Sequence, residues 1–137
     1  MIKINLVSLA FLLVILTACS AFPDAGASLE DTHWELYAYR KSRPIEDTTL
    51  TIKFEDGRAS GSAGCNSYGS MYQVNGKEIT FSEVSSTVMA CLEPEGVMEQ
   101  EQLFLQYLGE AQRFEVVDGQ LQIFWSDHEA LTFVPAE

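Results

Sequence analysis

The sequence predicts an α+β domain: a mostly antiparallel sheet of hairpins, curved strongly toward a barrel, with one α-helix packed on it. Three observations support this fold class: tight turns between strand-like segments, alternation of apolar and polar residues along those segments, and one stretch, about residues 95–108, with helical spacing. A chain of 137 residues has room for one such domain.

The turns come from three dipeptides, each flanked by strand-like residues: Asp56-Gly57, Asn75-Gly76 and Asp118-Gly119. Such pairs suit type I′ turns, which need positive φ at both central positions and match the twist of the strands they join. Residues 125–128 are expected to form a fourth turn. Hairpins joined this tightly have antiparallel strands.

Apolar residues alternate with polar ones in each predicted strand. Leu50, Ile52 and Phe54 share one face of the first of them, with threonine, lysine and glutamate on the other. The same spacing recurs at Ile79 and Phe81, Phe114 and Val116, Leu121, Ile123 and Trp125, and Leu131 and Phe133. One face of the sheet should therefore be buried and the other exposed to solvent.

Small residues occupy inward positions directly after the first turn. They are Ala59, Gly61 and Ala63. Small inward residues let a sheet bend sharply or let another element approach closely, which favours a sheet that curls toward a barrel.

The helical segment follows Pro94, has acidic residues in its first turns and can end at Gly109. Its apolar stripe, expected to face the core, consists of Val97, Met98, Phe104, Leu105 and Leu108. Glu101 lies within that stripe, where a carboxylate must accept hydrogen bonds or be protonated. Two hypotheses follow: a structural carboxylate held by the Asn66–Tyr68 loop or by residues 85–87, or a catalytic acid/base.

The N-terminus reads as a secretory signal peptide, residues 1–18, removed in the mature protein. Its apolar run, Ile4–Leu16, is shorter than a membrane-spanning helix requires. The sequence Leu16-Thr17-Ala18-Cys19 resembles the bacterial lipobox, which implies a lipid-modified, palmitate-type N-terminus at Cys19. Ser20 resembles the outer-membrane sorting default, so the expected location is the cell envelope, lipid-anchored at the periplasmic face of the outer membrane. Residues 19–31 are predicted to form the lipidated N-terminus and a flexible tether.

Lipidation of Cys19 leaves two cysteines, Cys65 and Cys91, in an oxidising compartment. A disulfide between them is the simple expectation, and the alternative of a redox pair lacks the Cys-x-x-Cys spacing. Removal of residues 1–18 leaves seven Lys and Arg against 20 Asp and Glu, a formal charge of −13 rather than −12. Such an acidic chain is not expected to bind nucleic acid.

Three motifs together indicate a family. They are Gly61-x-x-Gly64-Cys65-Asn66-x-Tyr68, Thr87-x-Met89-Ala90-Cys91, and Met98-x-x-Glu101-x-x-Phe104. In this combination the chain resembles the META domain family, the HslJ-like lipoproteins, over residues 32–134. The resemblance implies a small α+β domain with a curved antiparallel sheet and one helix, secreted or envelope-anchored. Some members are linked to heat shock and antibiotic tolerance, notably to novobiocin, and no agreed activity comes with the family.

The sequence holds no hydrolase, metalloprotease or nucleotide-binding motif, and both histidines fall at predicted strand ends or turns. No catalytic residue, cofactor or metal site is therefore predicted. The expected function is a monomeric, non-enzymatic binding or stress-tolerance module whose partner is the membrane, an envelope protein or a small apolar ligand. The predicted structural polar network consists of Asn66, Tyr68, Thr87 and Glu101.

Two alternatives stay open. One is a small hydrolase-like or acid/base enzyme using Glu101. The other is a protease-inhibitor-like module that presents residues 40–44, a basic segment stiffened by proline. Outward-facing aromatic residues could also form a ligand surface, and the candidates are Tyr37, Tyr39, Tyr72 and Phe124.

Overall fold

The computed structural model describes residues 27–137, which form a closed antiparallel barrel of eight strands with one helix packed against it. The elements are β1 Thr32–Tyr39, β2 Thr51–Glu55, β3 Arg58–Ser62, β4 Ser67–Asn75, β5 Glu78–Ser86, α1 Val97–Gly109, β6 Arg113–Val117, β7 Gln120–Phe124 and β8 Ala130–Pro135. Each strand pairs with the next one along the chain, and β8 pairs with β1 to close the barrel. The predicted fold class is confirmed. The predicted signal peptide, the lipidation at Cys19 and residues 19–26 of the tether lie outside the described residues.

Two of the three predicted tight turns have the expected geometry. Asp56 and Gly57 have φ of 53° and 71°, and Asp118 and Gly119 have φ of 51° and 76°, the positive values that a type I′ turn requires. The third turn differs because Asn75 is the last residue of β4, paired with Glu78. Its two loop residues are therefore 76 and 77, and of these only Gly76 has positive φ, at 62°, which is the pattern of a type II′ turn.

The barrel interior is filled by the residues that alternate along the strands. Leu50, Ile52 and Phe54 are at most 1% exposed. Buried residues from the other strands include Ile79, Phe81, Phe114, Leu121, Ile123, Leu131 and Phe133. The alternation therefore predicted the core correctly in all of these strands, because a strand places successive side chains on opposite faces.

Gly61 marks a close approach between β2 and β3. A Cβ atom built on Gly61 would lie 2.1 Å from the carbonyl oxygen of Thr51, which is backbone and cannot rotate away. The absence of a side chain at Gly61 is thus a steric requirement of the curved sheet.

We expect Gly61→Ala to lower the free energy of unfolding by about 2–3 kcal/mol, the upper part of the usual cost of overpacking. Gly69→Ala is the matched control, since a Cβ there would meet only the Arg58 guanidinium, at 3.8 Å. Urea denaturation of both variants measures the difference. Equal losses at the two positions would show that glycine is not needed for the β2–β3 approach.

The barrel has two distinct ends. The entry end holds the start of β1, the end of β8 and the three tight turns at 56–57, 76–77 and 118–119, as the pairs Thr32↔Phe54 and Trp34↔Pro135 require. The opposite end, called here the clasp end, holds the longer connections: residues 40–50, 63–66, 87–96 and 125–129.

The folded part begins before the predicted boundary at residue 32. Leu29 is 3% exposed and belongs to the core cluster. The backbone N–H of Asp31 donates to the Phe54 carbonyl at 2.9 Å. Residues 29–31 of the predicted tether are therefore attached to the entry end.

Helix α1 is close to its predicted bounds, but its buried face is rotated. It follows Gly96, whose φ is 83°, and ends at Gly109. The buried residues are Val97, Gln100, Glu101, Phe104, Tyr107 and Leu108. Met98, predicted to be core, is exposed, and Leu105 is half-buried. Leu105 packs against the core as predicted. The stripe prediction was wrong for Met98 because it considered only apolar residues, whereas Gln100 and Tyr107 find partners in the clasp-end loops.

Strands β5 and β6 join over a short seam. Their one registered pair is Glu78↔Arg113. Two further backbone hydrogen bonds flank it, from Ile79 N–H to the Gln112 carbonyl at 3.1 Å and from Phe114 N–H to the Lys77 carbonyl at 2.8 Å. Helix α1 is inserted in the chain between these strands and packs beside β5. Within residues 27–137, no helix has the length and apolar content needed to cross a bilayer.

Candidate functional site

Glu101 projects from the second turn of α1 into the loop between β3 and β4. The residue is 5% exposed. Its Oε2 accepts hydrogen bonds from the backbone N–H groups of Cys65 at 3.1 Å and Asn66 at 2.6 Å, and its Oε1 accepts one from Asn66 Nδ2 at 2.6 Å. Three donors thus compensate the burial of one carboxylate.

Asn66 connects this carboxylate to the segment after β5. It is 2% exposed. Its Oδ1 accepts hydrogen bonds from the Thr87 hydroxyl at 2.8 Å and from the Met89 N–H at 2.7 Å, while Nδ2 also donates to the Met89 carbonyl at 3.1 Å. Both amide protons and two acceptor positions of the side chain are therefore used. We call Glu101, Asn66, Thr87 and Met89 the clasp.

A disulfide joins the same two loops beside the clasp. Cys65 and Cys91 are bonded, with Cα atoms 6.0 Å apart and a sequence separation of 26. The structure thus contains the pairing that the cysteine count predicted. Because Cys65 directly precedes Asn66, the covalent link and the hydrogen bonds hold the same short stretch of chain.

Tyr68 was predicted to share this polar network, and the structure corrects that assignment. Its hydroxyl donates instead to the Thr51 carbonyl on β2 at 2.9 Å. Its ring packs edge-on against Phe104, with centroids 5.4 Å apart. Of the four predicted network residues, the clasp unites Asn66, Thr87 and Glu101.

Gln100 is a site residue that the sequence reasoning missed. It is 3% exposed, its Oε1 accepts from the Ile45 N–H at 2.7 Å and its Nε2 donates to the Thr48 hydroxyl at 3.0 Å. It attaches the β1–β2 connection to α1 as Glu101 attaches the β3–β4 loop. The signal was present, since residues 99–102 are four polar residues in succession. Four successive residues go around a full turn of a helix, so they cannot all face away from the core.

The geometry favours the structural hypothesis for Glu101 over the catalytic one. Both carboxylate oxygens already accept hydrogen bonds from protein donors, so a substrate proton would have to displace them. Across the described part of the chain, no buried side-chain nitrogen or oxygen lacks a hydrogen-bond partner. In the same residues, no three His, Cys, Asp or Glu side chains lie together as metal ligands.

The segment proposed as an inhibitor loop, residues 40–44, forms an exposed turn at the clasp end. Reciprocal backbone hydrogen bonds of 3.0 Å between Tyr39 and Ser42 close it. Arg40 lies 3.5 Å from a Glu129 carboxylate oxygen, and the Arg43 guanidinium stacks 3.9 Å from the centre of the Tyr37 ring. The inhibitor hypothesis stays a prediction, and purified protein that protects no substrate from envelope proteases would remove it.

The four aromatic residues considered as a ligand surface have separate partners. The Arg43 guanidinium stacks on the Tyr37 ring, and Phe124 lies under Arg113 at 3.5 Å. Tyr72 meets the Phe54 ring edge-on at 4.9 Å, and Tyr39 packs against the core. The four aromatic side chains therefore contact different residues and lie at separate sites on the barrel.

Two tyrosines should ionise at a higher pH than an ordinary tyrosine does. Burial, with a hydrogen bond to Glu30, raises the pKa of Tyr72 to about 12, and burial raises the pKa of Tyr68 further. The same bond from the Tyr72 hydroxyl lowers the pKa of the Glu30 carboxyl. Because the folded-state pKa of Tyr72 exceeds the ordinary value of 10, this phenol stabilises the fold below pH 10 and loses that contribution as the pH rises through about 12. The contribution of Tyr68 has the same sign.

A phenolate absorbance titration tests this expectation. Among the five tyrosines, Tyr68 and Tyr72 should ionise only above the ordinary range, and Tyr72→Phe should remove one of these late-titrating phenols. A single transition of all five near the ordinary value, in protein that stays folded, would contradict the assignment.

Comparison with known proteins agrees with this architecture. The sequence model of the META domain matches residues 27–137. The chain belongs to the META domain family. A solved structure described as the NMR structure of the protein from Burkholderia xenovorans is 27% identical, with a TM-score of 0.67 over 79% of this chain and 83% of that one.

A second solved structure shares the fold of this META domain. It is an NMR structure with 22% identity and a TM-score of 0.62, covering 78% of this chain and 91% of its own. No curated protein matches the chain. The family resemblance drawn from the motifs is therefore confirmed, and the comparisons assign no activity to it.

Proposed function

We propose that this META domain protein is an envelope-anchored bacterial lipoprotein whose domain is a non-enzymatic binding module that contributes to stress tolerance. The clasp supports this proposal. Its one buried carboxylate, the strongest candidate for chemistry in the sequence, is held by three protein donors. A domain whose buried polar groups are used to fix loops has the properties of a recognition scaffold.

The position at which the chain enters the barrel is compatible with an anchor at Cys19. The chain enters the barrel at the end opposite the clasp, beginning with the buried Leu29. A tether from Cys19 to Leu29 would span roughly 35 Å when extended. Anchoring at Cys19 would then direct the clasp end away from the membrane.

Metabolic labelling with a fatty-acid analogue tests the anchor. We expect the full chain to be labelled and to sediment with membranes, and Cys19→Ser to be unlabelled and released. Ser20→Asp should keep the label but change the membrane in which the protein is found. Labelling that survives Cys19→Ser would overturn the proposed anchor.

Complementation tests the non-enzymatic role. In a strain lacking the gene, survival of heat and of novobiocin should follow the amount of folded protein, whichever residue occupies position 101. The most informative variant is the double substitution Asn66→Asp with Glu101→Gln, which exchanges the charged and amide partners. Loss of tolerance at an unchanged level of folded protein would favour the acid/base enzyme.

A further inference from the structure

The connection from β5 to α1 exposes apolar side chains at the clasp end. Val88 is 96% exposed, Leu92 is 87% exposed and Met89 is 59% exposed. Elsewhere in residues 27–137 the exposed large apolar side chains reach at most 48%, at Val117. We call residues 87–96 the apolar loop.

The backbone of the apolar loop is fixed on the barrel. Cys91 is bonded to Cys65, and both the N–H and the carbonyl of Met89 bond to the Asn66 side chain. Thr87 N–H donates to the Ser67 carbonyl at 3.0 Å. These attachments hold the backbone while Val88 and Leu92 point into solvent. A loop already ordered before it meets a partner loses little conformational entropy on binding.

The charges around the loop restrict what it can meet. Residues 78–112 contain seven glutamates and neither lysine nor arginine. Glu93, Glu95 and Glu99 are exposed and lie within or next to the loop. An anionic lipid surface would repel the exposed glutamates of this loop, whereas a basic protein surface would attract them.

We propose that the apolar loop is the docking element for a protein partner that has an apolar depression rimmed by lysine and arginine. The apolar side chains would enter the depression and the glutamates would pair with its rim, the usual division between the centre and edge of an interface. This inference rests on the proposed function in one respect, that anchoring at the entry end turns the loop away from the membrane.

Site-specific photo-crosslinking in the cells that produce the chain identifies the occupant. The photoreactive residue replaces Val88 in the full, processed protein, and the control replaces Val117 at the entry end. We expect a discrete crosslinked protein at position 88 that is absent at position 117. Crosslinks to lipid, to a second copy of the chain, or equally at both positions would overturn the proposal.

Affinity measurements with the purified crosslinked partner decide whether the contact is specific. Leu92→Asp should weaken binding at least about tenfold, as expected for an apolar anchor residue. Glu93→Lys combined with Glu95→Lys should weaken binding and reduce its dependence on salt. Val117→Asp should leave binding unchanged. Unchanged affinity in the Leu92→Asp variant would overturn the proposal, and its melting temperature verifies the fold, since Leu92 is exposed.

The Cys19→Ser chain separates this inference from the proposed anchor. If the soluble, unlipidated chain binds the purified partner with the same affinity and the same sensitivity to Leu92→Asp, the docking element stands whatever the outcome of the labelling experiment. If it loses binding although the clasp is intact, the loop is not the docking element.

Discussion

Asn66→Asp should lower the free energy of unfolding at neutral pH by about 3–5 kcal/mol, the cost of leaving a buried charge without its partner. The substitution changes almost no volume, but it places a carboxylate oxygen where Nδ2 now lies, 2.6 Å from Glu101 Oε1. The same oxygen would also face the Met89 carbonyl, which Nδ2 now contacts at 3.1 Å. Two hydrogen bonds thus become repulsive contacts.

The pH dependence identifies the cause. As the pH falls toward the ordinary carboxyl range, about 4, one of the two acids takes up a proton and can donate to the other, so the deficit should shrink. Adding Glu101→Gln to Asn66→Asp should recover part of the loss at neutral pH, because the new amide can donate to the new carboxylate. Asn75→Asp, at the exposed end of β4, is the control. A loss equal to that of Asn75→Asp would show that the clasp contributes little.

Removing the disulfide should cost about 3.5 kcal/mol on the chain-entropy account. The estimate follows from the 26-residue separation of Cys65 and Cys91, since a longer closed loop restricts the unfolded chain more. Cys65→Ser combined with Cys91→Ser should lower the denaturation midpoint, while far-ultraviolet circular dichroism remains that of the barrel. The hydrogen bonds of Asn66 still hold the two loops together in that variant.

Thiol labelling verifies the premise of that prediction. In denatured but unreduced protein carrying Cys19→Ser, neither remaining cysteine should react, and both should react after reduction. Reaction of both cysteines without reductant would contradict the bond. A stability loss in the double serine variant below about 1 kcal/mol would contradict the chain-entropy estimate.

The hairpins and the core could be predicted from sequence because their causes are local. Positive φ at Asp56 and Gly57 follows from the residue types, and burial of Ile52 and Phe54 follows from their period. Closure of β8 on β1 is a non-local event, to which inward small residues such as Gly61 gave only an indirect indication.

Part of the clasp could also be predicted from a local cause, the position of Glu101 in the helix. An acidic residue in an apolar stripe shows that partners must exist, so Glu101 and Asn66 could be connected from the sequence. It does not show which hydroxyl lies within reach, and Tyr68 was therefore assigned wrongly. Gln100 was missed because its partners lie more than 50 residues earlier in the chain, in a connection whose path the sequence pattern does not specify.

Because β5 and β6 pair over only a short seam, we expect the clasp to protect the protein against aggregation as well. Beyond the seam, helix α1 packs beside β5, which has no further registered pair with β6. A strand left without a neighbour can pair with the same strand of another molecule. Glu101 and Gln100 hold the first half of that helix to two loops, so their loss would uncover a strand edge as well as lower the stability. The first sign of a damaged clasp should be intermolecular β-pairing rather than simple unfolding.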